Sequence, residues 1–351
     1  RPPPASAARV HYKTCEKQEP ESVRFYSHLY DLKIILPKSV YQKVFGFPEG
    51  PRSFRTDVCT ILRLVIISQR LDSREVGKVE KQARKLYTET IGPGDISEEL
   101  APEIRKLGLE QNCRELAERG WTVVENVLGD EFNEAFRKKI LEIAGSTGGA
   151  QMLLKKDSLF GRAVLAPKLM ALAEFSVGRG FLLSQVAASV RAKGSPSIGL
   201  HADHNWLPAP FPAHNMLLTA CWACDSYTQE NGATLIIPDT AELKRHPSHE
   251  EIEALEGAQP IECEPGSVAI WDGNIWHSNY VRKTEGLRVV CHITYSRLMM
   301  RPVENYSAWS DELVREHGPR MAQLLGQDDF LDSPKGADYS KLEQTFNNAK
   351  R

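Results

Sequence analysis

The feature that most constrains the fold is a series of short segments with strand composition between residues 181 and 296. They are rich in β-branched, aromatic and other apolar residues, and turn signals such as Asn231-Gly232 and Pro265-Gly266 separate them. Short strands punctuated in this way, after two helices, favour an antiparallel sandwich or barrel with helices packed outside. The expected strands cover residues 181–192, 197–203, 215–225, 234–238, 267–272 and 287–296.

Helical patterns dominate the chain before residue 113 and recur between and after the expected strands. Apolar stripes predict the main helices, and Gly120 and Gly178 stand where two of them should end. The expected helices cover residues 57–69, 72–90, 110–119, 130–144, 167–177 and 310–325, and a first strand covers residues 121–127. We therefore expect a flexible arm (1–20), a helical N-terminal extension (21–112), a β-rich domain (113–305) and a C-terminal helix with a tail (306–351).

Composition limits the classes of partner. A net charge of −2 over 351 residues gives no electrostatic reason to expect nucleic acid or an anionic membrane surface. No uninterrupted apolar run approaches the roughly 20 residues that span a bilayer, and the first residues show no secretory pattern. Seven cysteines with scattered spacing indicate reduced thiols, which predicts a cytoplasmic protein.

The pair His201 and Asp203 is the first candidate for chemistry. The two residues fall in the expected strand 197–203, where side chains two apart project from the same face. An imidazole and a carboxylate side by side supply two members of a facial metal triad, in which two histidines and one carboxylate hold Fe(II). His277, which follows the expected strand 267–272, is the candidate for the third ligand.

Arg288 is the candidate for an anion-binding residue. It opens the expected strand 287–296, and it shares a strand face with His292. A guanidinium on the inner face of a barrel is costly unless it meets an anion. A carboxylate suits it because the two groups make a bidentate pair.

Taken together, these motifs resemble the phytanoyl-CoA dioxygenase family, a branch of the Fe(II)/2-oxoglutarate-dependent oxygenases. The resemblance extends over about residues 113–301 and implies a mainly β fold with flanking helices. Its core would be a double-stranded β-helix, which is a jelly-roll or cupin-like barrel. The motifs are, in chain order, His201-x-Asp203, Asp225 to Gly232, Pro265-Gly266-Ser267, His277 and Arg288.

The resemblance also implies roles for individual residues. His201, Asp203 and His277 would bind Fe(II), and Arg288 would bind the distal carboxylate of 2-oxoglutarate. Further contacts to 2-oxoglutarate are expected from Lys193, Thr219, Trp222 and Asn279. Contacts to substrate are expected from Asn205, Trp206, Trp276 and His292.

The implied activity is oxidation of a small organic metabolite by molecular oxygen, with decarboxylation of 2-oxoglutarate to succinate and with ascorbate as a reductant. Related halogenases lack the carboxylate that Asp203 supplies, so its presence favours hydroxylation or another oxidative outcome over halogenation. Hydroxylation is the leading expectation, and desaturation or rearrangement in secondary metabolism stays open. Two alternatives are a cupin-like metalloenzyme that does not use 2-oxoglutarate and a non-catalytic metal-binding barrel. The N-terminal helices are expected to pack on the barrel or to form a homodimer.

Three further residues have a simpler interpretation. Cys221 and Cys224 form a Cys-x-x-Cys pair in the middle of an expected strand, with no second pair at zinc spacing. We expect both to be buried thiols. His204 directly follows Asp203 and should face the other way, so we expect a structural role.

Overall fold

The computed structural model of the protein describes residues 22–27, 32–37, 92, 94–146 and 148–328. The chain divides into two compact units, residues 1–80 and residues 81–351.

The described part of the first unit is an antiparallel pair of strands. Strand β1 (Ser22–Ser27) pairs with β2 (Leu32–Pro37), and Ser22 lies opposite Pro37. The prediction that the N-terminal extension is helical is therefore wrong for these two segments. Val, Phe and Tyr in β1 and two Ile residues in β2 favour extended chain. The helices expected at 57–69 and 72–90 lie outside the described residues.

The described part of the second unit contains eight α-helices and nine strands. None of these helices is long and apolar enough to cross a membrane. The helices are α1 (Ala101–Leu107), α2 (Glu110–Arg119), α3 (Asp130–Ala144), α4 (Ser158–Val164), α5 (Pro167–Val177), α6 (His249–Ala254), α7 (Ser310–His317) and α8 (Pro319–Leu324). The strands are β3 (Trp121–Val124), β4 (Gly148–Ala150), β5 (Leu182–Ala192), β6 (Leu217–Ala223), β7 (Thr234–Ile237), β8 (Gln259–Pro260), β9 (Val268–Asp272), β10 (Trp276–Asn279) and β11 (Leu287–Ser296).

Two predicted elements differ from the structure. The segment 197–203 is not a strand: His201 makes an isolated bridge, and the chain then turns where the Asn205 N–H donates to the Asp203 carbonyl at 2.8 Å. The expected helix 310–325 is divided into α7 and α8 by Gly318, whose φ of 87° is incompatible with helix.

The β-strands of the second unit form two antiparallel sheets. The larger sheet has the order β3-β9-β6-β11-β5-β4, and the smaller has the order β10-β7-β8. Apolar residues from both sheets pack together in an interior cluster that includes Cys221, Tyr227, Ile236 and Trp271. Helices α3 and α5 pack on the other face of the larger sheet. The predicted double-stranded β-helix with helices outside is confirmed.

An aromatic cluster holds α3 against the larger sheet. The ring centroids of Phe132 and Phe136 lie 5.3 and 5.5 Å from that of Trp222, which is fully buried on β6. The Trp222 indole N–H also donates to Asn133 Oδ1 at 3.1 Å. Alternation along β6 then turns Thr219 and Cys221 toward the interior between the sheets.

Candidate functional site

Pairing of two extended segments brings His201, Asp203 and His277 together. His277 lies on β10, and its backbone exchanges hydrogen bonds of 2.8 and 3.0 Å with that of His201. The Nε2 atoms of His201 and His277 lie 3.6 and 3.5 Å from Asp203 Oδ1. All three ligand atoms lie within 4.8 Å of one another. Two ligand atoms that each lie about 2 Å from one metal ion can be up to about 4 Å apart, so these separations are close to those of a bound metal site.

Backbone carbonyls orient both imidazole rings. His201 Nδ1 lies 2.8 Å from the Gly199 carbonyl oxygen, and His277 Nδ1 lies 3.1 Å from that of Ile275. Each Nδ1 therefore carries a proton and donates it, and Nε2, beside Asp203, is the nitrogen that a metal would bind. Second ring nitrogens of metal-bound histidines are usually held in this way.

The outer carboxylate oxygen of Asp203 is also held. Its Oδ2 accepts a hydrogen bond of 2.7 Å from the Thr219 hydroxyl and one of 3.1 Å from the Trp271 indole N–H. Burial raises the pKa of Asp203, but the imidazoles of His277 and His201 and the Thr219 hydroxyl outweigh burial and keep the pKa well below its usual range. Asp203 is ionised, and its Oδ1 lies toward the two imidazoles.

A cavity of about 190 Å³ opens beside these three residues. Strands of both sheets line it, namely β5, β6, β9 and β11 of the larger sheet and β7 and β10 of the smaller one. The site therefore lies between the two sheets, where a double-stranded β-helix has its interior.

Arg288 lies in the wall of the same cavity, with 2% of its surface exposed. Its Nη1 donates to the Gly232 carbonyl, and its guanidinium carbon lies 5.5 Å from the centre of the Tyr227 ring. Its Nε has no hydrogen-bond partner among the described residues. A buried cation with an open donor needs an anion in the cavity.

Trp222 and Lys193 were expected at the cosubstrate, and the structure places both elsewhere. Trp222 lies on the outer face of β6, because it is an odd number of residues away from Thr219, which faces the cavity. Lys193 follows the last residue of β5 and is exposed, with its Nζ 2.6 Å from the Glu285 carboxylate. Neither residue lines the cavity.

Asn205, Trp206 and Trp276 were expected at the substrate, and they are also outside the cavity lining. Asn205 and Trp206 lie on an exposed turn, where Trp206 has 65% of its surface exposed. Trp276 is buried on the side of β10 opposite His277, because adjacent strand residues face opposite ways. Its indole N–H donates to the Arg245 carbonyl at 2.7 Å.

Thr219, Asn279 and His292 do line the cavity. Thr219 donates to Asp203, as described above, and Asn279 Oδ1 accepts from the Ile198 N–H at 3.0 Å. Burial, and then the charge of Arg288, lowers the pKa of His292 to about 4, so this imidazole is neutral near pH 7.

Sequence reasoning missed several cavity residues, of which Arg191, Tyr227 and Thr234 matter most. Arg191 lies on β5 directly opposite Arg288 on β11. The Tyr227 and Thr234 hydroxyls lie 2.8 Å apart. Alternation along the expected strand 181–192 indicates that Arg191 shares a face with other β5 residues, but only the pairing with β11 shows that this face is the inner one.

The cysteine pair and His204 have the structural roles expected of them. Cys221 and Cys224 are buried free thiols, and burial raises the pKa of Cys221 to about 11. His204 is fully buried and accepts a 3.3 Å hydrogen bond from the Met216 N–H. Burial lowers the pKa of His204 to about 4.

Two solved structures are similar in fold. HygX from Streptomyces hygroscopicus, solved with nickel, 2-oxoglutarate and hygromycin B bound, is 16% identical with a TM-score of 0.49. That alignment covers 55% of this chain and 89% of HygX. EctD from S. alaskensis, solved with 2-oxoglutarate and 5-hydroxyectoine, is 16% identical with a TM-score of 0.47, over 60% of this chain and 79% of EctD.

Comparison with whole sequences and with a family profile is more specific. Dioxygenase af480 of Aspergillus fumigatus is 28% identical over 242 residues, which cover 62% of this chain and 77% of the relative. The uncharacterized protein Mb1539 of Mycobacterium bovis is 24% identical over 232 residues, covering 59% and 82%. The profile of the phytanoyl-CoA dioxygenase (PhyH) family matches residues 64–290, a range that includes the triad residues and Arg288. This match spans more than half of the chain, which therefore belongs to the phytanoyl-CoA dioxygenase family.

Proposed function

We propose that this member of the family is an Fe(II)/2-oxoglutarate-dependent dioxygenase in which His201, Asp203 and His277 hold the metal and Arg288 holds the cosubstrate. It oxidises a small organic molecule, with hydroxylation as the favoured outcome, while 2-oxoglutarate is decarboxylated to succinate. One observation carries the proposal: three open ligand atoms within 4.8 Å of one another share a cavity with a buried guanidinium.

The donor set fits Fe(II). Two imidazole nitrogens and one carboxylate oxygen are the ligands of non-haem Fe(II) oxygenases, which leave the remaining coordination positions open. Both rings are locked by backbone carbonyls in the tautomer that presents Nε2. Because the three residues line the cavity, the open positions of a metal bound by them would face it.

The cavity also fits 2-oxoglutarate. One carboxylate and the adjacent keto oxygen of this molecule can chelate the metal, which leaves a distal carboxylate for the fork of Arg288. The free Nε of Arg288 supports this role, and Tyr227 and Thr234 supply hydroxyls in the same wall. Asn279 remains a proposed contact at the edge of the cavity.

Iron, when bound, supplies the activation of oxygen. The chain supplies the surroundings in which this chemistry takes place. Thr219 and Trp271 hold Oδ2 of Asp203, so that Oδ1 points at the metal position. His292, in the cavity wall, is neutral near pH 7 and would add no charge to the site.

The remaining proposals concern partners and location. A cavity of about 190 Å³ favours a small-molecule substrate. The five described cysteines are free thiols, which supports the prediction of a cytoplasmic protein. A homodimer formed through residues 21–112 stays a prediction.

Arg288 separates this function from its two alternatives. A cupin-like enzyme or a non-catalytic barrel could use the same three metal ligands, but neither needs a buried guanidinium in the wall of the same cavity. We therefore place the dioxygenase first.

The test is release of labelled carbon dioxide from 2-oxoglutarate that carries the label in the carboxylate next to its keto group. Release by the full chain should require Fe(II) and oxygen and should be abolished by Asp203→Ala. Arg288→Gln should weaken 2-oxoglutarate binding at least about tenfold, because a charge-assisted pair is lost. Lys193→Gln, which removes a cation outside the cavity, is the control. Release that survives Asp203→Ala would contradict the proposal.

A further inference from the structure

A second guanidinium faces the cavity. Arg191 and Arg288 are register partners across β5 and β11, and both line the cavity wall. We propose that Arg191 binds a carboxylate of the substrate, so that the molecule oxidised here is a small, polar organic acid. This inference rests on the proposed function above and names the class of substrate for the same site.

The two arginines have no acidic partner in the described part of the cavity. Asp203, a proposed metal ligand, is the one described carboxylate in the lining. Arg191 donates from Nε to the Ser189 hydroxyl at 3.3 Å and from Nη1 to the Pro196 carbonyl. These neutral partners orient the guanidinium without neutralising it. Burial, and then the charge of Arg288, lowers the pKa of Arg191, as expected for two cations that share one space.

The cosubstrate does not account for Arg191. One carboxylate of 2-oxoglutarate is used at the metal, and the other is used by Arg288. With Fe(II), Asp203 and both carboxylates in place, the charge of Arg191 is still uncompensated. A third carboxylate, brought by the substrate, would compensate it.

The position of Arg191 suits contact with a molecule that enters from solvent. Arg288 is nearly inaccessible, with 2% of its surface exposed, whereas Arg191 is half-buried. Arg191 is anchored to Pro196, and Ile198, which follows in the same segment, lines the cavity with 45% of its surface exposed. Arg191 therefore lies closer to solvent than the arginine assigned to the cosubstrate.

The cavity wall formed by β5 and β11 is mostly polar, which favours a polar substrate. Its side chains can hydrogen-bond to hydroxyl, amine or carboxylate groups, and Trp206 and Trp276, which were expected at the substrate, lie outside the lining. The polar residues of this wall are Gln185, Ser189, His292 and Thr294.

The test compares matched pairs of probes on the anaerobic complex of the full chain with Fe(II) and 2-oxoglutarate. Each pair is a short straight-chain monocarboxylic acid and its primary amide, and binding is followed by the change in the visible absorption band of the complex. We expect each acid to bind at least about tenfold more tightly than its amide, since the acid gains a charge-assisted pair. Arg191→Gln should abolish this preference, and Arg191→Lys should keep part of it. Lys193→Gln should keep all of it.

Affinity for 2-oxoglutarate is the second readout. It should stay within about twofold in Arg191→Gln and fall at least about tenfold in Arg288→Gln. A tenfold fall in Arg191→Gln would assign Arg191 to the cosubstrate and overturn the proposal. Equal binding of acids and amides to the wild-type complex, or binding of neither, would also overturn it. If the wild-type protein gives no absorption band with Fe(II) and 2-oxoglutarate, the proposed function itself has failed.

Discussion

The substitution Trp271→Phe should weaken metal binding although Trp271 is not a metal ligand. The indole N–H of Trp271 donates to Asp203 Oδ2 at 3.1 Å, and phenylalanine keeps an aromatic ring there without the donor. Asp203 would lose one of the two hydrogen bonds that direct its other oxygen at the metal. The carboxylate could then rotate, and its geometry as a ligand would be less well defined.

The expected loss of Fe(II) affinity in Trp271→Phe can be worked out from these hydrogen bonds. A hydrogen bond to a charged group contributes about 1.5–3 kcal/mol, and loss of a group that orients a metal ligand costs about 10–100-fold in affinity. Thr219 keeps a shorter bond of 2.7 Å to the same oxygen. We therefore expect Trp271→Phe to lie near the lower limit, at about tenfold, or roughly 1.4 kcal/mol. Thr219→Val should lower Fe(II) affinity by a larger factor. In the double variant the two losses should not simply add, because both hydrogen bonds hold the same oxygen.

The assay is an anaerobic titration of Fe(II) against a chromophoric chelator. Trp121→Phe is the matched control, because Trp121 lies opposite Trp271 in the pairing of β3 with β9. Its ring stacks with the Arg119 guanidinium at 3.7 Å and does not line the cavity. The control should bind Fe(II) as the wild type does. Equal affinity of Trp271→Phe and wild type, with both proteins folded, would refute the role of this hydrogen bond.

Three other substitutions test the core. Trp222→Phe removes the hydrogen bond to Asn133 and should lower the free energy of unfolding by about 1–2 kcal/mol. Affinity for 2-oxoglutarate should not change, and a weaker affinity would return Trp222 to the cosubstrate site. His204 has a pKa of about 4 when folded and an ordinary value of 6.5, so the unfolded chain binds its proton first and stability falls as pH drops through this window. Urea titrations at several pH values should show a smaller fall in His204→Gln, and an equal fall would contradict this. Glu304 accepts from the Val186 N–H at 2.8 Å in a buried setting, so Glu304→Ala should lower the thermal midpoint by several degrees, from a loss of about 2 kcal/mol; an unchanged midpoint would contradict the contact.

Local periodicity was enough to predict much of the fold. Apolar spacing predicted α3 and α5 with the bounds that the structure has, and residues 287–296 form one strand as expected. The spacing of His201 and Asp203 brought the two side chains together even though the strand expected around them did not form. A locally extended backbone over three residues is sufficient to place side chains i and i+2 on the same side.

The wrong placements have a common physical origin. Thr219 and Trp222 cannot both face one cavity from a regular strand, and neither can Trp276 and His277, because strand side chains alternate. The two-residue period of a strand therefore excludes one residue of each pair from the cavity. It does not show which residue is excluded, because the packing of the two sheets decides which strand face is the inner one.

Arg191 could not be identified from the sequence, because its role depends on contacts between distant parts of the chain. The pairing of β5 with β11 places it beside Arg288. The sequence instead drew attention to Lys193, two residues further on, which lies beyond the end of the strand. β1 and β2 were missed because neighbouring helical patterns outweighed their strand composition.

The most direct test of the central claim is an anaerobic titration of the full chain with Fe(II) and then 2-oxoglutarate, followed by visible absorption. Chelation of ferrous iron by a 2-oxo acid should give a weak metal-to-ligand charge-transfer band. We predict that the band appears in the wild type, is absent in His201→Ala, and requires more 2-oxoglutarate in Arg288→Gln. Iron binding without the band would contradict the assignment of the cosubstrate. Failure to bind iron at all would contradict the triad of His201, Asp203 and His277.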